Sequence, residues 1–283
     1  MTSRAVVLGG GGVAGVAWEI GLLAGLVAEG VDLTGADAVV GTSAGSVVGA
    51  ELAAGLDPAQ LYTAQLADPG SEIAARVAWS TLLRWGWATV STRDAQRARA
   101  RIGAMALAAE TVPEAARRAV IESRLPVREW PDRRLLITAV DAESGEFMVF
   151  DRDSGVGLID AIGASCAVPG VWPPVTIDGH RYIDGGVRSA ANVDLAAGYD
   201  RVVVIAPLPG GAGPVPSVAR QAAALDGRVA VVTPDRDAKR AFGRNVLDPA
   251  RRAPAARAGR AQAAAEAARV RQVWTGDGAQ PPP

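Results

Sequence analysis

Ser43 lies between Gly41 and Gly45 in the stretch VVGTSAGSVVGA, residues 39–50, where a β-branched run gives way to small residues. A strand that ends in Gly-x-Ser-x-Gly and continues as a helix displays its serine hydroxyl on a sharp turn, the arrangement of a serine nucleophile; an ordinary glycine-serine turn is the competing reading. A second cluster, Gly9 to Gly12 followed by Gly15, also joins an apolar strand pattern to an apolar helical one. Gly10, Gly12 and Gly15 satisfy Gly-x-Gly-x-x-Gly, and Asp32 lies near the spacing of a ribose-binding acid, so a dinucleotide site is one reading. The other is that backbone N–H groups at the helix start hold a developing oxyanion.

A serine nucleophile needs a proton acceptor. The chain has one histidine, His180. In the strand pattern HRYID it faces the same side as Asp184 but stands roughly 13 Å from it, too far for a hydrogen-bonded pair. His180 also follows the Asp178-Gly179 turn directly, so it reads as a surface or structural residue. That leaves a carboxylate acting directly on the serine. Asp184 is the candidate, because Gly185 and Gly186 allow a sharp exit from its strand; its other reading is a turn residue. A free aspartate is a weak base, with a pKa of about 3.9, so partial burial must raise its basicity. A helix starting at Ala44 would favour a partly ionised serine with its positive end.

These residues need a frame. RAVVLGGGGVAGVAWEIGLLAGLVAEG and ADAVVGTSAGSVVGAELAAG each read as strand, glycine turn and helix, and two such units in succession predict parallel strands with helical crossovers. Helical patterns follow from about Pro58 to Leu83 and from Arg93 to Arg124, the expected cap beside the site. RLLITAVDAESGEFMVFD predicts a hairpin turning at Glu143-Ser144-Gly145, LIDAIGASCAVPG a helix, and PPVTIDGHRYIDGGV a hairpin turning at Asp178-Gly179. RVVVIAP and RVAVVTP add two strands, and ARRAPAARAGRAQAAAEAARVRQVW a final helix.

With 29 basic and 30 acidic side chains the formal net charge is -1, which gives no electrostatic case for nucleic acid. The lone Cys166 excludes an intramolecular disulfide and a multi-cysteine zinc site, and reads as a small buried hydrophobe. No apolar run spans a bilayer and no signal-peptide pattern opens the chain, so a cytoplasmic protein with membrane contact at most peripheral is expected. Trp79, Trp85 and Trp87 crowd into AWSTLLRWGWATV; they pack cap helices on the core, or line an acyl channel or lipid interface.

Taken in order, GGGGVAG, GTSAG and DGG resemble the oxyanion-hole, nucleophile-elbow and catalytic-aspartate motifs of the patatin-like phospholipases. ASCAVPGVWPPVTIDGHRYIDGG is similar to that family's approach to its aspartate. The likeness implies a three-layer α/β/α domain with a largely parallel sheet over residues 1–275. Its core motifs span 5–207; the helical patterns place a cap insertion at about 66–134 and a C-terminal helix at about 250–274, and the Gly/Pro-rich end reads as a disordered tail at 276–283. It also implies a Ser-Asp dyad: Ser43 attacks an ester carbonyl, Asp184 acts as base, and amides around Gly10, Gly11 and Gly12 hold the oxyanion. Gly15, Gly41, Gly45, Gly185 and Gly186 support the motifs, and no metal or organic cofactor is required. The implied partner is a lipid or acyl ester. The family's glycine motif usually carries Lys or Arg immediately before its last glycine, where this chain has Ala14; the cation is lost and the backbone donors remain. A dinucleotide-binding protein and a catalytically silent scaffold are the alternatives.

Overall fold

The computed structural model describes residues 2–67, 75, 85, 86, 88, 92–211 and 215–276. Among these, one sheet runs through strands β1 (Arg4–Leu8), β2 (Ala38–Gly41), β3 (Arg134–Asp141), β4 (Phe147–Phe150), β5 (Val175–Ile177), β6 (His180–Asp184), β7 (Arg201–Ile205) and β8 (Arg228–Val232). Its order is β5-β6-β3-β2-β1-β7-β8, with β4 also on β3. The block β3-β2-β1-β7-β8 is parallel, and the two expected hairpins add the antiparallel strands. Asp178 and Gly179 both take positive φ, as a two-residue hairpin turn demands.

The central strands are buried on both faces, which is why they read as unbroken Val-rich runs. Val6, Leu8, Val39, Leu135 and Ile137 point into the larger core, beneath helices α1 (Gly12–Ala28) and α2 (Ala44–Ala53). Ala5, Val7, Val40 and Leu136 point the other way, onto Val193, Ala196 and the short helix at Val218–Ala222. The result is the expected three-layer α/β arrangement. The described helices of the cap span are α3 (Pro58–Leu66), α4 (Ala95–Leu107) and α5 (Glu114–Arg124). Trp79 and Trp87 lie outside the described residues. Trp85 packs with Ile102, Val140 and Ile183.

Helix α6 spans Leu158–Ser165, α7 is the Val218–Ala222 turn already met, α8 spans Arg236–Phe242 and α9 spans Arg252–Thr275. The alanine-rich α9 lies against α1, and its composition has a steric reason. A Cβ on Gly259 would run into the Trp18 carbonyl, so only small residues let the two backbones approach this closely. Among the described residues no helix is long and apolar enough to cross a membrane.

Candidate active site

Strand register decides where the candidate residues meet. Ala139 and Val140 of β3 pair with both β4 and β6, and Ile137 pairs with both β2 and β4. A residue has only two edges, so β2 and β6 must share one edge of β3, approaching from opposite ends. β2 stops with Gly41 opposite Ile137, and β6 stops with Asp184 opposite Ala139. Their C-terminal ends therefore face each other head-on, and the residues just beyond them are brought together.

Ser43 is the first of these. It takes φ 52° and ψ -114°, a left-handed conformation strained for a residue with a side chain, at the cap of α2. Such strain costs on the order of 1–3 kcal/mol and persists where the surroundings enforce it. A Cβ on Gly45 would strike the Leu8 carbonyl at the end of β1, so the glycine lets the start of α2 lie this close to the neighbouring strand. Gly41 is crowded in the same way by Gly45 and Ser46. The Ser43 N–H donates to Ser165 Oγ at 2.9 Å, while its carbonyl accepts from Ser46 Oγ at 2.7 Å and Cys166 Sγ at 3.3 Å.

Asp184 is the second. Burial pushes its carboxyl up to about 6, against the opposing pull of hydrogen bonds from the Ser43 hydroxyl and the Gly186 N–H. The Gly186 bond, to Oδ1, measures 2.7 Å. Gly185 opens the short turn that carries the chain away. An acid of this strength is ionised at neutral pH yet basic enough to accept a proton, which is the compromise a direct general base needs.

His180 takes no part in this contact: its Nδ1 lies 3.2 Å from Asp141 Oδ2 and its side chain is 65% exposed. Asp32 does not serve the glycine loop. It precedes β2 at the opposite end of the sheet from that loop, and its carboxylate accepts from the Thr34 N–H at 2.8 Å. A ribose-binding acid would have to stand at the C-terminal end of β2, so the dinucleotide arrangement is not formed. Cys166 lies beside Ser43, where burial pushes its thiol up to about 11; it is a neutral hydrogen-bond donor.

The glycine loop passes directly over Ser43, a Cβ on Gly10 falling 3.5 Å from the serine Cβ. Gly10 differs from the sequence expectation: its N–H is already engaged, donating to the Ala190 carbonyl at 2.7 Å, so Gly10 anchors the loop. Below it, the Gly9 N–H is shared between the Ile205 carbonyl at 2.9 Å and Glu19 Oε1 at 3.0 Å. The carboxyl of Glu19 is wholly buried, and desolvation holds it well above the usual range. Gly11 immediately precedes α1 and Gly12, with φ 61°, is its first residue. Gly15 faces Pro207 and Ala44, and the buried Ala14 gives its N–H to the Val246 carbonyl at 2.9 Å. Two helix N-termini, those of α1 and α2, thus converge near Ser43.

Sequence reasoning missed the polar network behind this junction. Asn192, fully buried with φ 49°, places Nδ2 within 3.0 Å of Thr42 Oγ1, 3.2 Å of Thr138 Oγ1, 3.1 Å of the Ser189 carbonyl and 3.4 Å of the Gly185 carbonyl. It ties the strand before the serine, β3 and the turn after Asp184 into one unit. An asparagine before a hydrophobic turn gives little signal of such a role.

From Ser43 a cavity of about 630 Å³ opens between α1, α2, α3, α5 and α6. Val13, Val16, Val47, Leu61, Ile121 and Ile162 make much of its wall, with Trp172 and Leu247 beside them. Arg117, Arg124 and Arg252 also line it, and the Arg117 guanidinium stacks 3.9 Å over the Trp172 ring. A largely apolar cavity of this size is of the kind that receives small organic ligands.

The family model for patatin-like phospholipase matches residues 6–197. No curated protein matches the chain. Among solved structures it is similar to VipD from Legionella pneumophila, at 14% identity and TM-score 0.40, over 72% of this chain and 50% of that one. It is also similar to the type III effector protein ExoU, at 17% identity and TM-score 0.38, over 93% of this chain and 53% of that one. The chain spans about half the length of both proteins.

Proposed function

The chain belongs to the patatin-like phospholipase family, a family of lipid hydrolases, and from that premise we propose that it cleaves carboxylic esters of lipids through Ser43 and Asp184. The observation that carries this reading is the head-on approach of β2 and β6, which sets the strained Ser43, on the wall of a largely apolar cavity, against a buried Asp184.

In the proposed reaction an acyl chain occupies the cavity and its ester carbonyl lies over Ser43. Asp184 accepts the hydroxyl proton as Ser43 Oγ bonds to the carbonyl carbon. The carbonyl oxygen becomes an oxyanion, which the N–H groups of Gly11 and Gly12 receive, helped by the positive ends of α1 and α2. Collapse breaks the bond to the alcohol, which leaves with the proton from Asp184. Water, giving one proton to Asp184, then attacks the acyl-serine; collapse breaks the bond between Ser43 Oγ and the acyl carbon, Ser43 takes that proton back from Asp184, and the fatty acid is released. The Asn192 network needs no contact with substrate; it holds the serine and the aspartate in register. Arg117, Arg124 and Arg252 on the cavity wall suit an anionic headgroup, which favours phospholipids or lysophospholipids over neutral acylglycerols.

The test is hydrolysis of a p-nitrophenyl ester series by the wild type, Ser43→Ala and Asp184→Asn, with folding followed by circular dichroism. Loss of activity in both folded variants is expected. Activity retained in Ser43→Ala would remove the proposed nucleophile, and an inert wild type on soluble and vesicle-borne esters would leave a silent binding protein.

A further inference from the structure

Helix α2 carries a carboxyl group that the proposed reaction does not use. Ala44, Val47 and Glu51 form one stripe of α2 along the cavity. Glu51 is only 5% exposed, and its Oε2 is buried with no hydrogen-bond partner among the described residues. A buried acid without a partner is costly, and a hydrophobic side chain would serve simple packing better. Among the described residues four other charged side chains line this cavity, Asp57, Arg117, Arg124 and Arg252. None of them offsets the effect of burial, which alone pushes the Glu51 carboxyl up to about 8. At neutral pH the group is therefore mostly a neutral acid, with one O–H to donate and a carbonyl oxygen to accept.

We propose that Glu51 selects acyl chains bearing a hydroxyl group near the middle, by hydrogen-bonding that hydroxyl inside the cavity. The proposal rests on the hydrolase reading for the placement of the ester at Ser43. Glu51 is eight residues beyond Ser43, about 12 Å at the helical rise, and because helical side chains lean back toward the N-terminus, ideal helix geometry brings its carboxyl to about 9 Å from the serine. An extended chain with C–C bonds of about 1.5 Å advances roughly 1.25 Å per bond, so that distance reaches about the eighth carbon of an acyl chain attached to Ser43. A neutral acid pairs well with a neutral alcohol, and an unsubstituted methylene at the same place leaves it unsatisfied.

The experiment compares p-nitrophenyl dodecanoate with its 8-hydroxy and 3-hydroxy analogues, using the wild type, Glu51→Leu and Glu51→Gln. For the wild type, kcat/KM for the 8-hydroxy ester relative to the plain ester should be about tenfold higher than for Glu51→Leu. Glu51→Leu should gain on the plain chain, Glu51→Gln should keep part of the preference through its amide, and the 3-hydroxy ester should show none. An equal 8-hydroxy to plain ratio in the wild type and Glu51→Leu would overturn the proposal while leaving the hydrolase reading intact. If no ester is cleaved, the hydrolase reading fails instead, and calorimetric binding of 8-hydroxydodecanoic and dodecanoic acids decides this one. Ser43→Ala should bind the hydroxy acid about tenfold tighter and lose that preference when combined with Glu51→Leu; equal binding would overturn it.

Discussion

The junction where β2 meets β6 and the wall of α2 eight residues further on each bury a carboxyl group, and the two are housed in opposite ways. Asp184 is raised by burial but restrained by hydrogen bonds from Ser43 and Gly186, so it remains an anion that can take a proton. Glu51 is raised by burial alone and carries an oxygen without a hydrogen-bond partner among the described residues. Around the junction the polar groups are cross-tied through Asn192, Thr42 and Thr138; Glu51 stands in a largely apolar cavity wall that also carries Asp57 and three arginines, none of which hydrogen-bonds its Oε2. The difference separates polar groups fixed by several protein partners from a group left open to whatever enters the cavity.

The largest effects should come from removing the junction's reacting atoms. Ser43→Ala and Asp184→Asn are expected to lower kcat by about 10³-fold or more with little change in thermal stability, as steady-state kinetics and melting curves will show. Next is the pH dependence of stability contributed by Glu51. Its folded-state pKa of about 8 lies above the ordinary 4.5, so the folded protein binds the proton more tightly and loses stability as pH rises from about 4.5 to 8. Denaturant titrations at pH 5 and pH 9 should give Glu51→Gln a smaller loss than the wild type, by up to about 4 kcal/mol. Equal losses would mean that Glu51 is not buried as an acid.

Asn192→Ala probes the cross-ties. It should cost about 2–3 kcal/mol of stability and lower kcat more than it raises KM, since it loosens the dyad without touching the cavity. A pure KM effect would contradict the positioning role. The smallest expected effect is the pH profile of kcat/KM, which should rise about 30-fold between pH 4.5 and 7 as Asp184 deprotonates with a midpoint near 6. Glu51→Gln should leave that midpoint in place; a shift would show that the two carboxyl groups are coupled.

Much of the frame was legible because its signals are local. Val-rich strands, two glycine turns and the Asp178-Gly179 hairpin each follow from neighbouring residues, and the serine elbow from Gly41 and Gly45. What joins Ser43 to Asp184 is the sharing of one edge of β3 by β2 and β6, a long-range pairing that no stretch of sequence encodes by itself. Gly10 shows the same limit: its position in the loop is evident, but the Ala190 carbonyl that occupies its N–H comes from far along the chain. Glu51 was hidden for a further reason, since a glutamate in an alanine-rich helix ordinarily faces water.

The central claim is that Ser43, activated by proton transfer to Asp184, is the nucleophile. Its most direct test is intact-mass and peptide-mass analysis after treatment with a fluorophosphonate that reacts only with activated serines. A single adduct on Ser43, absent from Ser43→Ala and strongly slowed in Asp184→Asn, is the predicted result. An adduct on another residue, or equal labelling of the wild type and Asp184→Asn, would contradict the account.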